Sequence, residues 1–396
     1  MFATDPTMGR LPRWQMCHYN AFQCRCIPRH GRNPSAMTDQ KTVRLGFVGA
    51  GGMAQLAHIV NYWNQEGVEL TALAEGRSKT AELVARTYGF KKVYPDHRAM
   101  LAGAKLDGVV AVLPFSLNGE VVKDVLGAGV HVLTEKPQVM TAARGRELVE
   151  LARRKGLHYH VGYMKRFDPG VQWAKRRLGQ WMKRSDELGS LQSMRIWCGH
   201  GRWYWFRRPH LDAGDELPDY QPTLETKPDW MTDAGWQRLR QWTNFYSHQT
   251  NLARFLAGED YTLNTIKRVG ASFYVQNTYA QSGAQLYFDF SAFACDGWHE
   301  GFEAVFERAR LTARIPAPLA DQQAARIVAY EHPSQGEPRN IEPSVPGPDG
   351  FRRQAEHFIA LLRGGTEPMS PAADAVKEVE YAETLVRRLQ DENMLE

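Results

Sequence analysis

The sequence predicts an α/β amino-terminal Rossmann half, a doubly wound parallel sheet, followed by an α+β half with an open mixed or antiparallel sheet. Three observations predict it. A glycine turn joins an apolar strand to a helix within Val43–Ala54. Strand and helix signals then alternate as far as Gly162, the pattern of repeated βαβ units. Beyond Val171 strands of period two take over, set between longer helices.

Val43 to Val48 is a short apolar run, and the helix after the turn reads to about Trp63. Gly49, Gly51 and Ala54 fill the glycine, glycine and small-residue places of a dinucleotide-binding turn. The first glycine permits the tight turn and the second lets a pyrophosphate approach the backbone. The small third residue lets the helix pack on the strand and aim its N-terminus at the phosphates. Gly52 and Met53 complete the loop and join those three as expected cofactor contacts. A second apolar strand, Val68 to Ala74, ends at Glu75. A carboxylate there accepts hydrogen bonds from the adenosine ribose and repels a 2′-phosphate, which favours NAD over NADP. Arg77 follows closely and could soften that preference.

Along the rest of this half, Ala81 to Tyr88 reads as a helix and Lys92 to Tyr94 as a short strand. Asp96 is placed to cap the next helix. The continuous apolar run Asp107–Leu113 is expected of a central parallel strand covered on both faces. It ends at Pro114 and is followed by a helix from Glu120 to Leu126. The strand Val130–Thr134 runs into Glu135-Lys136-Pro137, then come a helix from Ala142 to Lys155 and a strand from His158 to Gly162. Glu75, Pro114 and Lys136 all fall at carboxyl ends of strands, where open α/β sheets bind ligands. His158 and His160 share a strand face and read as a packed pair.

These pieces resemble the glucose–fructose oxidoreductase, inositol dehydrogenase and MocA family. The resemblance is carried by Gly49-x-Gly51-x-x-Ala54, by Glu75 and by Leu113-Pro114-x-x-x-Asn118. It continues through Ala128–Val132 into Glu135-Lys136-Pro137, then Gly162-Tyr163-Met164-Lys165-Arg166-Phe167-Asp168-Pro169. It implies cofactor contacts from Arg77, Leu113, Pro114, Asn118, Glu135 and Lys136, with a histidine in family members where Asn118 stands here. It also implies a substrate cleft lined by Tyr163, Lys165 and Arg166, and a homodimer or homotetramer built on the open sheet face.

In the second half, Leu191 to Cys198 reads as a strand, and Arg202–Arg208 interleaves arginines with aromatic rings, including Trp205. That segment is read as a sugar-stacking wall or as a loop packed on the sheet. A helix from Leu239 to Leu256 places Asn244, His248 and Asn251 on one face, with Phe245, Leu252, Phe255 and Leu256 on the packing side. The resembling family carries Asp, His and Asp at those three places, with the first Asp and the His in catalysis. Strands are expected over Thr265–Tyr274, Ala284–Phe293, Gly301–Ile315 and Ala325–Tyr330, and helices over Gly350–Arg363 and Ala372–Gln390. The expected domains are 41–165 and 166–396, after a disordered leader at 1–40.

At 396 residues, 43% hydrophobic and 23% charged, the composition is that of a globular chain with ample core. A formal charge of +5 leaves no footprint for nucleic acid, and no run approaches the roughly 18 apolar residues of a membrane helix. Five cysteines, three of them in the leader, suit a reducing, cytoplasmic setting. Cys17, Cys24 and Cys26 lack a matching second half, so no metal site is expected.

Resemblance and residues together imply an NAD(P)-dependent oxidoreductase for a secondary alcohol or ketone of a sugar, inositol or related polyol. Lys136 and His248 are the expected acid/base pair and Asn244 an orienting residue. Asn251, Tyr163, Lys165, Arg166 and Trp205 are expected against substrate. Two other readings stay open: an NAD-dependent glycoside hydrolase or other enzyme with a tightly held cofactor, and a non-catalytic nucleotide sensor.

Overall fold

The structure, a computed structural model, describes residues 41–202, 209–217, 225–320, 323–345 and 347–395. The leader, its cysteines and Trp205 lie outside the described residues. Lys41–Glu396 forms one compact unit holding two sheets.

The first sheet has six parallel strands in the order β3-β2-β1-β4-β5-β6. They are β1 (Val43–Val48), β2 (Val68–Ala74), β3 (Lys92–Tyr94), β4 (Gly108–Ala111), β5 (His131–Thr134) and β6 (Tyr159–Val161). The order reverses between β1 and β4, the crevice in which such sheets bind ligands. The helices between strands are α1, a π-helical stretch Ala54–Ile59 continuing as Val60–Tyr62, then α2 (Ser78–Tyr88), α3 (His97–Gly103), α4 (Asn118–Gly127) and α5 (Ala142–Lys155). Their ends follow local chemistry: Asp96 and Thr141 accept from backbone N–H groups as N-caps, and Gly89 and Gly156 close their helices in the left-handed conformation.

A 3₁₀ turn, Met164–Phe167, leads to α6 (Pro169–Met182), which Asp168 caps by accepting from Gly170 and Val171 N–H groups. After α7 (Ser185–Leu188) comes β7 (Leu191–Arg202), and a long excursion separates it from α8 (Asp233–Ala257). The second sheet then completes in the order β14-β13-β12-β11-β7-β10-β9-β8. Its remaining strands are β8 (Tyr261–Val269), β9 (Ser272–Tyr279), β10 (Gln285–Asp296), β11 (Trp298–Phe306), β12 (Ala309–Ile315), β13 (Arg326–Glu331) and β14 (Arg339–Ile341). Only the β7–β10 pair is parallel, so the sheet is mixed.

Two expected strands are in fact hairpins. The 265–274 strand turns at Gly270, whose φ of +58° suits a tight turn, and the 301–315 strand turns at Glu307-Arg308, which carries no turn signature. β14 is a short strand that the sequence does not announce, and Phe245 is 49% exposed rather than on the packing side of α8.

The last helices, α9 (Gly350–Leu362) and α10 (Ala372–Asp391), fold back on the first sheet. Ala355, Phe358, Ile359 and Leu361 join the core under β1. α10 serves both cores: Ala372, Ala375 and Val379 pack with the first sheet, and Tyr381, Leu385 and Leu389 with the second. A shared buried helix couples the two sheets mechanically.

Gly49 is the tightest point of the first turn. Its φ is +94° and an added Cβ would stand 2.3 Å from the Val112 carbonyl oxygen. That neighbour is backbone and cannot yield cheaply, and the positive φ adds strain, so Gly49→Ala should cost at least about 2 kcal/mol. Denaturant unfolding followed by circular dichroism checks this through a lowered midpoint.

Candidate active site

The glycine turn, the end of β5 and the middle of α8 meet at the carboxyl edge of the first sheet. Around the turn, Ala54 is fully buried where helix meets strand, while Gly51, Gly52 and Met53 are half-buried. A Cβ added at Gly51 would meet nothing within 4 Å among the described residues. The chain itself therefore does not require that glycine; the open space above it suits an approaching phosphate. That space and the first turn of α1, which has no side-chain cap among the described residues, fit a dinucleotide.

Glu75 follows β2 beside the glycine turn. Its Oε2 accepts from Ala50 N–H at 2.8 Å and from Arg77 Nη2 at 3.1 Å, and its Oε1 accepts from Arg77 N and Nε at 3.1 and 3.0 Å. Burial pushes this carboxyl up, but the Arg77 guanidinium and the two backbone N–H groups outweigh it and hold it below its ordinary value. All four lone-pair directions are occupied, so a ribose hydroxyl would displace an Arg77 bond. Leu113 and Pro114 follow β4 on the other side of the crevice, half-buried and exposed respectively.

The Glu135-Lys136-Pro137 turn is held from three sides, with a cis bond between Lys136 and Pro137. Fully buried Asn118, the first residue of α4, donates from Nδ2 to the carbonyls of Glu135 (3.3 Å) and Pro137 (3.0 Å). Glu135 Oε1 meets His58 Nε2 at 2.7 Å, and Glu135 Oε2 accepts from Lys136 N–H at 3.1 Å. His58 stands on α1, so the glycine turn and the lysine turn are tied through a single carboxylate. The sequence carried no signal for His58, a lone histidine on an apolar helix.

From α8, Asn244 receives the lysine: Lys136 Nζ donates to its carbonyl oxygen at 2.6 Å and approaches its Oδ1 at 3.3 Å. Burial lowers the Lys136 pKa and the Lys165 charge lowers it further, against the opposing pull of Glu135. One turn on, the His248 ring meets Tyr163 edge to face, with centroids 5.8 Å apart. Burial first, then the charges of Lys165 and Lys136, keep His248 well below its ordinary pKa and so neutral at pH 7. Its Nδ1 has no hydrogen-bond partner among the described residues.

The other expected residues gather slightly apart. Lys165 is buried against Glu300, 2.5 Å away, whose second oxygen accepts from Trp298 Nε1. Arg166 donates to Asn251 Oδ1 at 2.6 Å and to the Met369 carbonyl, and pairs with Asp374. Asn251 Nδ2 then donates to Glu378 Oε1 at 3.1 Å, and Arg254 pairs with the same carboxylate. Asn244 and His248 thus meet Lys136 and Tyr163, whereas Asn251 bridges a buried cation and a buried anion.

Residues 43–163 match the oxidoreductase family with an NAD-binding Rossmann fold. The matching family model is the one for glucose–fructose oxidoreductase, inositol dehydrogenase and MocA, and the match is confined to this amino-terminal stretch. It is 30% identical over 185 residues to D-glucoside 3-dehydrogenase of Escherichia coli, covering 47% of this chain and 52% of that one. It is also 30% identical over 112 residues to scyllo-inositol 2-dehydrogenase (NAD(+)) of Bacillus subtilis, covering 28% and 33%. The matched stretch therefore spans about half or less of these relatives. The fold of aldose-aldose oxidoreductase from Caulobacter crescentus superposes with a TM-score of 0.64 at 19% identity, over 89% of this chain and 98% of that one. In this family's terms, Asn stands at two places on α8 where the resemblance implies Asp.

At 251 the amide has a physical reason. An Asn can accept from Arg166 and donate to Glu378, and an Asp could not donate. Asn251→Asp should set two buried carboxylates against each other and cost about 1–3 kcal/mol. A carboxyl with a raised folded-state pKa destabilises only while ionised, so the loss should be full at pH 7 and shrink as pH falls toward 4.5. Thermal melts of both proteins across that range check it.

Proposed function

We propose that the chain is an NAD-dependent oxidoreductase acting on a secondary alcohol or ketone of a sugar, inositol or related polyol. The observation that carries the reading is the Lys136–Asn244 contact, which holds a desolvated amine at the end of β5 beside the dinucleotide turn. The nicotinamide ring, when bound, supplies the hydride acceptor or donor. Lys136 exchanges the hydroxyl proton of the substrate and, when protonated, stabilises the developing oxyanion. Asn244 fixes the amine through its carbonyl and leaves it uncharged neighbours on α8. Neutral His248, backed by the Tyr163 ring, can accept a hydrogen bond from the same hydroxyl and so orient it, or take that one proton in place of Lys136. Lys165 and Arg166 are committed to carboxylates and hold the wall behind that face.

A cofactor-reduction screen over sugars, inositols and amino sugars tests the reading by finding a substrate. With it in hand, Lys136→Met should lower turnover about 10²–10⁴-fold while NAD still binds by titration. Oxidation needs the deprotonated amine, so its rate should climb with pH to a midpoint below 10.5, the ordinary lysine value. Asn244→Asp places a carboxylate on that amine, favours its charged form and should move the midpoint upward. An unmoved midpoint in the pH–rate profile would detach Lys136 from the titration.

A further inference from the structure

The excursion between β7 and α8 returns to the first sheet at its adenosine end. Leu211 exchanges hydrogen bonds with Gln55 of α1, its carbonyl accepting from Nε2 and its N–H donating to Oε1, both at 2.8 Å. Ala213 N–H donates to Thr80 Oγ1 at 3.0 Å. Asp215 then takes the first turn of α2: its Oδ2 accepts from Lys79 N–H at 2.8 Å, and its Oδ1 accepts from Thr80 N–H and Oγ1 at 3.2 and 2.6 Å. Asp212 Oδ2 lies 3.5 Å from Arg77 Nη1.

We infer that Asp212 and Asp215 set the cofactor preference of this site by occupying the two features that would otherwise seat a 2′-phosphate. The inference rests on the dinucleotide reading above. An arginine just after β2 is the usual partner of that phosphate, and helix N-termini attract anions. Here the arginine is Arg77 and the N-terminus is that of α2. A ribose hydroxyl engaging Glu75 would loosen Arg77 from it, because the carboxylate has no spare lone pair. Asp212 then keeps the released guanidinium from turning to a phosphate. Asp215 replaces the phosphate on α2 outright. The space over Gly51 stays clear of these residues, so the segment walls the ribose end and leaves the pyrophosphate seat free.

The test is fluorescence titration of NAD and NADP into the full-length wild type and into Asp212→Asn, Asp215→Asn and the double variant. Asn keeps one acceptor oxygen at each place and removes the charge, at 215 also giving up either the Lys79 or the Thr80 contact, and both side chains are exposed enough for each single variant to fold. Wild type should bind NAD more tightly. The double variant should bind NADP about fivefold more tightly than wild type, with NAD affinity changed less than twofold. Unchanged NADP affinity in all three folded variants overturns the inference, as does a wild type that prefers NADP; both leave the dinucleotide reading standing. A wild type that binds neither nucleotide takes down that reading, and the inference with it.

Discussion

The hydrogen bond from Lys136 Nζ to the Asn244 carbonyl, 2.6 Å long, is the point on which the site depends. It joins the end of β5 to the middle of α8. It uses a backbone acceptor, so it survives any side chain at 244; the side chain decides only the charge beside the amine. That charge matters because the amine is partly buried, and a carboxylate in low dielectric would hold its proton. Burial and the nearby Lys165 favour the neutral amine against the pull of Glu135, and an amide at 244 adds no second carboxylate to oppose them.

Around that bond the chain arranges supports from distant places. Asn118 braces the turn by two carbonyls, and Glu135 links it to His58 on α1. α10 keeps the two sheets in register by contributing to both cores. Asp168 does similar work at the junction, capping α6 while also accepting from Ala325 N–H just before β13. Small displacements of a positioned acid/base are costly, which explains why so many buried polar contacts converge here.

Much of this was legible in the sequence, for physical reasons. Gly49 announces a turn that no other residue can make, and the apolar runs of β1, β4 and β5 announce strands covered on both faces. The 3.6 period of α8 placed Asn244 and His248 on one face, and Lys136 at a strand end drew attention by its surroundings. What stayed hidden depends on contacts far apart in the chain. Nothing local marks His58 as the partner of Glu135, or Asp215 as the cap of a helix 135 residues earlier. The Glu307-Arg308 turn was invisible because neither residue is a turn former. Asn251 shares the face of Asn244 and His248 and is expected against substrate, yet it bridges Arg166 and Glu378, since periodicity gives a direction and not a partner.

Everything at this site turns on burial lowering the pKa of the Lys136 amine. The most direct measurement is an NMR titration of lysine side chains labelled at Cε and Nζ, with the Lys136 signal identified by its loss in Lys136→Met. The account predicts a midpoint clearly below 10.5 in wild type and a higher one in Asn244→Asp. A wild-type midpoint at or above 10.5 would contradict it.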